Sequence, residues 1–262
     1  MPQRAIDEAG PVRSVRAFSP MKVLGIDIGG SSFKAAPVDT KTGRLIAERF
    51  RVPISSPCPR AEGLAAAHAI VQHFKWKGRV GVGFPAIVQD GRIGAVGNLG
   101  SEWENQNGVQ IFERATGCRV GIANDADAAG LAEMRFGAGR GREGTVLMLT
   151  FGTGIGSALF YRGQLFPNAE LGHIPWDGAP IEQFASAAVK TKLDLDWAEW
   201  TERVNVYLRV VERLFSPELI IVGGGVSQDH KMWFKLLRTR AKVVPAKLHN
   251  DAGIVGAALA AG

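Results

Sequence analysis

Alternating apolar and polar positions divide the chain into two runs that begin alike. Residues 23–26 and 33–38 are β-branched, aromatic or small and apolar, and they flank Asp27-Ile28-Gly29-Gly30-Ser31-Ser32. Residues 146–149 and 157–161 flank Thr150-Phe151-Gly152-Thr153-Gly154-Ile155-Gly156 in the same way. Both patterns predict strand, turn, strand. After the first turn the spacing predicts a third strand over 45–50 and a proline-rich connector over 53–59. A helix over 61–78 follows, with Leu64, His68, Val71 and Phe74 on its apolar side. A strand over 80–84, a hairpin at Asp90-Gly91, a polar loop through Trp103, a short helix bearing Val109, Ile111 and Phe112, and a strand over 119–122 complete this run.

The second run opens with a helix over 126–136, ahead of the second glycine turn. Its longest helix, over 196–215, lines up Trp197, Trp200, Val204, Leu208, Val211 and Leu214 on one stripe, which assigns the tryptophans to the core. A buried strand over 219–222 enters Gly223-Gly224-Gly225, a helix follows from Gln228, and the small apolar residues 251–261 form a closely packed last helix. Two meanders, each with later helices, predict an α/β protein of the duplicated actin-like, ribonuclease H-like kind. Its two α/β domains face one cleft, a place where ligands bind and closure excludes water. The smaller domain is expected to comprise 21–123 plus 250–262 and the larger 124–249. Residues 1–20, which lack periodicity, are expected to be a flexible tail.

A chain of 262 residues with 46% hydrophobic content supports a substantial core. No apolar run approaches the roughly 20 residues of a membrane span, and the start lacks a secretory apolar block, so no membrane partner and a cytoplasmic location are expected. Cys58 and Cys118 stand far apart and give neither a disulfide framework nor a zinc spacing. They read as buried thiols. A formal net charge of +6 is compatible with a polyanionic partner without requiring one. No nucleic-acid partner is expected, because basic and aromatic residues do not interleave on a docking motif.

Neither glycine turn leads from strand into helix, which excludes a P-loop and a dinucleotide fingerprint. Glycines that permit positive φ and close approach let consecutive N–H groups point at one anion, and Ser31, Ser32 and Thr153 add hydroxyls. One such turn is only a turn; two suggest a pair of phosphate cradles. Asn124-Asp125 is a helix N-cap when read alone. At a strand–helix junction beside a cleft, Asp125 equally suits a base that takes a proton from an attacking hydroxyl. Glu170, His173 and Glu182 suit either a small polyol or a metal ion.

In order along the chain, these segments resemble the ROK family of sugar kinases and repressors. Asp27 to Ser32 is similar to the family's first phosphate motif, Gly83-Phe84-Pro85 to the strand end bordering the sugar, and Asn98 to a sugar contact. Asn124-Asp125 resembles the pair of sugar-binding Asn and catalytic Asp, and residues 150–156 the second phosphate motif. Glu170 to His173 matches the sugar-binding Glu and His, and Gly223-Gly224-Gly225 the turn associated with adenosine. The resemblance implies a kinase in which Asp125 is the base. Asn98, Asn124, Glu170, His173 and Glu182 would then hold the sugar. Asp27, Gly29, Gly30, Ser31, Ser32, Gly152, Thr153 and Gly154 would hold donor phosphates. Mg²⁺ is implied near Asp27, for which holding its own turn is the alternative role, while Lys34 faces either phosphate or solvent. A homodimer is implied as well.

The chain departs from the family at one point. Residues 174–180 replace the usual cysteine-rich zinc loop and lead directly to Glu182, so no zinc is expected and His173 is free for sugar. Pro175, Trp176 and Pro180 would stiffen the short connector. This zinc-less form is similar to the family's branch that uses polyphosphate or ATP as donor and glucose or mannose as acceptor. A polyphosphate donor needs a cation track, for which Lys231, Lys235 and Arg238 fall on one face of the helix expected from Gln228, with Arg135, Arg140 and Arg142 as a second patch; a solvated surface explains either set equally. An ATP-only hexose kinase and a silent sugar sensor are the competing readings. The repressors' DNA-binding domain would not fit in the twenty residues before Met21.

Overall fold

In the computed structural model, which describes residues 22–96 and 99–261, the first glycine turn joins β1 (Lys22–Gly29) to β2 (Ser32–Asp39) in antiparallel register, with Gly29 opposite Ser32. The single strand expected over 45–50 is instead two short ones, β3 (Arg44–Leu45) and β4 (Phe50–Pro53), both pairing with β2. Between them residues 46–49 are exposed, so burial does not hold a continuous ladder there.

Helix α1 (Arg60–His73) ends earlier than expected, where Lys75 takes φ +47°. It buries Gly63, Ala66, Ala67, Ile70 and Val71, whereas His68 is exposed. Of the expected stripe Val71 is buried and Leu64 and Phe74 pack against the core, while small residues complete the face, with Trp103 and Phe33 close against Gly63. Strand β5 (Val80–Phe84) leads into the hairpin of β6 (Ala86–Gln89) and β7 (Arg92–Val96), turned at Asp90 and Gly91 with both φ positive. That turn is the one an Asp-Gly pair predicts. Helix α2 (Gly108–Thr116) and β8 (Val120–Asn124) close the first sheet, ordered β3-β2-β1-β5-β8.

After α3 (Asp125–Phe136) the second sheet repeats this plan. Strands β9 (Thr145–Phe151), β10 (Ile155–Tyr161) and β11 (Gln164–Phe166) form the meander. A small hairpin, β12 (Pro175–Trp176) with β13 (Ala179–Pro180), then precedes α4 (Glu182–Ala185), α5 (Ala187–Lys192) and α6 (Trp197–Phe215). Helix α6 starts on an Asp196–Glu199 capping box and buries Trp200, Val204, Leu208 and Val211, while Leu214 is exposed. Strand β14 (Leu219–Gly223) runs parallel to β9 and pairs with β15 (Lys242–Pro245), giving the order β11-β10-β9-β14-β15. In each sheet the first strand of the meander pairs in parallel with a later strand.

The helix expected from Gln228 is one turn only, α7 (His230–Trp233), followed by a 3₁₀ turn over Phe234–Leu236. Trp233 is fully buried against Trp200 and donates its indole N–H to Val226 O, and this anchoring overrides continued helix. Lys231, Lys235 and Arg238 therefore share no helical face.

The last helix, α8 (Ala252–Ala260), crosses back onto the first sheet. Gly25, Gly81 and Gly121 are neighbours across β1, β5 and β8, and a Cβ on any of them would run into the α8 backbone or the Ala261 that ends it. This glycine row admits the close packing read from the small residues of the segment. Helix α8 also rests on α3, where a Cβ at Gly256 would overlap Ala128 O. Both cysteines are buried and unpaired, and no helix is long and apolar enough to cross a membrane, among the described residues.

Candidate active site

Asp27 on β1 faces Lys34 on β2 in register and neighbours Gly83 on β5. Opposite residues of an antiparallel pair project to one face, and both side chains line a cavity of about 240 Å³ between the two sheets. Lys34 thus faces the cleft. Burial raises the Asp27 pKa, and Lys34 partly offsets the shift. Gly253 at the start of α8 leaves room for this carboxylate, since a Cβ there would stand 2.6 Å from Asp27 Cγ.

Asp125 lies on the same cavity wall, at the first position of α3. The buried Asn124 caps that helix: its Oδ1 accepts the N–H groups of Ala126 at 2.9 Å and Asp127 at 3.0 Å, and its Nδ2 donates to Ala86 O at 3.2 Å. Such a cap contributes about 1 kcal/mol, and Asn124 is the N-cap its place in the sequence predicts. Part of the Asp125 side chain still touches the cavity, but protein encloses most of its surroundings. Desolvation, and then the charges of Asp27 and Glu170, lift its pKa to about 7, against the N–H of Ala126. A carboxylate of that basicity is matched to taking a proton near neutral pH.

Glu170, His173 and Glu182 come together. His173 Nδ1 lies 3.8 Å from Glu170 Oε2, and its Nε2 lies 3.6 Å from Glu182 Oε1. Burial raises the Glu170 pKa; His173 opposes the shift and Glu182 adds to it. Glu182 Oε2 accepts the N–H of Ile155 at 2.9 Å, directly after the second glycine turn.

Among the glycines of the two turns, Gly29, Gly30, Gly152 and Gly154 all lack positive φ, so left-handed freedom is not what they provide. Gly154 is needed for space, because a Cβ there would overlap the Glu182 carboxylate. Gly30 and Gly152 face open space. Gly224 alone of the triple glycine has positive φ, +79°, and a Cβ on it would overlap Phe151 O. Gly223, Gly224 and Gly225 line the cavity that holds Asp27 and Asp125.

Other expected residues fall elsewhere. Gly29, Gly30, Ser31, Gly152 and Thr153 are not on this cavity's wall, and Ser32 is buried within the ladder between β1 and β4. Gly83 is buried against α3 and α8, and Pro85 is half-buried. The Phe84 ring belongs to the core beside Trp103 and Phe112. Asn98 lies outside the described residues. The Arg238 guanidinium pairs with Glu202.

Thr150, the first residue of the second glycine segment, also lines the cavity, together with Ser227, Gln228, His249 and Asn250, which the sequence does not single out. Their signal was positional: each adjoins a segment already singled out, but only the return of α8 to the first sheet brings them to one wall. Among the described residues no cluster of three His, Cys, Asp or Glu forms a metal cage. Asp27 and Asp125 are the carboxylates on the cavity wall. That donor set fits Mg²⁺, which is commonly held by one or two carboxylates together with substrate phosphates and water.

A profile of the ROK family matches residues 23–191. The polyphosphate glucokinase of Mycobacterium tuberculosis (strain CDC 1551 / Oshkosh) is 42% identical over 238 residues, covering 90% of each chain. The inorganic polyphosphate/ATP-glucomannokinase of Arthrobacter sp. strain KM superposes with a TM-score of 0.87 at 44% identity, covering 91% of this chain and 97% of that one. A ROK family glucokinase from Streptomyces griseus, in complex with glucose and AMPPNP, gives a TM-score of 0.76 at 28% identity, covering 92% and 99%. The duplicated actin-like, ribonuclease H-like fold read from the sequence is the fold these structures share.

Proposed function

The chain belongs to the ROK family, and from that premise we propose that it is a glucokinase that moves the terminal phosphoryl group of polyphosphate or ATP to the 6-hydroxyl of glucose. The observation that carries this reading is the place of Asp125. It stands on the wall of the cavity that extends to Gly223–Gly225, and the charge of Glu170, from the Glu170–His173–Glu182 cluster, contributes to its raised pKa. Both observations support a reading in which a basic carboxylate serves a donor site on one side and an acceptor site on the other.

Glu170, His173 and Glu182 would bind the sugar hydroxyls, with Asn98 and Asn124 beside them, and orient the 6-hydroxyl toward Asp125. Asp125 accepts its proton as the oxygen attacks phosphorus. Lys34 and the two glycine turns would hold the donor phosphates, and Gly223–Gly225 the nucleotide when ATP is the donor. Mg²⁺, when bound, neutralises charge on the phosphates; Asp27 is the residue suited to hold it through its water shell. Mannose as a second acceptor, a homodimer and the division into domains at 124 and 250 belong to the same reading. The two unpaired thiols suit a reducing compartment, which supports a cytoplasmic location.

The test is production of hexose 6-phosphate by the purified protein from glucose with either donor. Turnover with ATP and none with polyphosphate would establish the narrower ATP-only kinase. Glucose binding without turnover on either donor would make the protein a sugar sensor.

A further inference from the structure

Asn168, in the loop between β11 and the 3₁₀ turn Leu171–His173, makes an unusual set of bonds. Its Oδ1 accepts the N–H of Val88 at 2.9 Å and its Nδ2 donates to Val88 O at 3.0 Å. The side chain thus pairs with both backbone groups of Val88 on β6, as a residue of a neighbouring strand would. Its own backbone N–H donates to Asp127 Oδ2 at 2.8 Å. The residue sits at φ +57°, a left-handed conformation that asparagine tolerates better than most residues.

Three segments meet at this residue, each carrying part of the candidate site. Val88 belongs to the hairpin that leaves the strand end at Gly83–Pro85, and Ala86 of that hairpin also holds the Asn124 amide. Asp127 is two residues beyond Asp125 on α3, and only 2% exposed. Glu170 follows Asn168 by two residues along the chain. The two side-chain bonds to Val88 thus tie the loop that carries Glu170 to the β6–β7 hairpin.

We propose that Asn168 is a positioning residue for the acceptor: it fixes the hairpin after Pro85 and the Glu170–His173 loop to the helix that presents Asp125. The inference rests on the sugar-kinase reading above and extends it to a residue that touches no reacting atom. Displacements of about 1 Å at a site of this kind cost large factors in rate, so a residue that joins its own loop to the hairpin through its side chain and to α3 through its N–H is felt in sugar binding rather than in donor binding.

The informative variant is Asn168→Gly. Glycine keeps the left-handed backbone without strain and leaves the N–H to Asp127 in place, so only the two bonds to Val88 are lost. Steady-state kinetics with glucose and ATP should show the KM for glucose raised about tenfold or more, with the KM for ATP changed less than about twofold. Amide exchange at Val88 should quicken. Asp127→Asn, which still offers an acceptor to the Asn168 N–H, should keep the glucose KM near wild type, and Asp127→Ala should raise it. An unchanged glucose KM in Asn168→Gly, or equal rises for glucose and ATP together with a lowered Tm, would overturn the assignment. A wild-type protein that phosphorylates no glucose would remove both this role and the function beneath it, whereas an active wild type with an unaffected variant would remove this role alone.

Discussion

Glu182 reaches across Gly154 to accept the backbone N–H of Ile155 at 2.9 Å, while its other oxygen lies 3.6 Å from His173. One carboxylate therefore joins the acceptor cluster to the second glycine turn. If the cluster binds sugar and the turn binds phosphate, the two sites share a wall through this contact, for which Gly154 leaves room.

Gly154→Ala places a methyl group where the Glu182 carboxylate lies. We expect kcat/KM to fall about tenfold or more, because the Glu182 carboxylate must move off the Ile155 N–H and its place beside His173. Gly152→Ala meets open space and an ordinary φ. Its Tm should stay at the wild-type value, and if the turn cradles phosphate, the KM for the donor alone should rise. Steady-state kinetics on the two variants, with melting curves, distinguish a requirement for space inside the protein from one for a ligand.

Asp125, with its pKa lifted to about 7, must be ionised to accept a proton, so kcat/KM should rise with pH through about 7 and flatten above it. The raised value also acts on stability. A free Asp titrates near 3.9, so between about pH 4 and 7 the folded chain retains a proton that the unfolded chain has released. Stability contributed by this group is therefore lost as pH rises through that window. Asp125→Asn should be almost inactive and more stable than wild type at pH 8, with the difference vanishing near pH 4. Urea unfolding at the two pH values measures it.

Gly81 has neighbours Gly25 and Gly121 on the flanking strands, and α8 lies on all three. Gly81→Ala puts a methyl group into Ala257 O, a backbone atom that cannot move alone. Overpacking of this kind costs about 1–3 kcal/mol. We expect a loss at the upper end of that range in urea titration, along with weakened donor binding, because Gly253 and Ala252 of the same helix line the cavity.

The two glycine turns, the capped helix at Asn124 and the Glu170–His173–Glu182 set were legible because each rests on local chemistry: alternation about a turn, a side chain beside its own helix, residues close in the chain. What was not legible depended on distant segments. The clamp of Asn168 on Val88 and the wall shared by Asp27, Gln228 and His249 exist only once α8 has returned to the first sheet and β6 has met the loop after β11. Helical spacing misplaced the track after Gln228 for the same reason. Nothing local says that Trp233 will be buried on Trp200 and break the helix after one turn.

The loss of that helical face changes what a polyphosphate donor would meet. Arg238 is engaged by Glu202 and its backbone N–H by Asn205, so it is poorly placed to follow a chain of phosphates. Lys231 and Lys235 are exposed on the segment that follows Gly225 and Gln228, two residues of the cavity wall. If the polyanion leaves by that route, reversing both charges, Lys231→Glu with Lys235→Glu, should raise the KM for long polyphosphate about tenfold or more while leaving that for ATP within about twofold. Arg238→Ala should affect neither donor. The difference should shrink as salt is added, since exposed charges beyond about 10 Å are screened at 0.1 M. Equal effects on ATP and polyphosphate, or no effect on either, would mean that long chains leave the cleft past other cations.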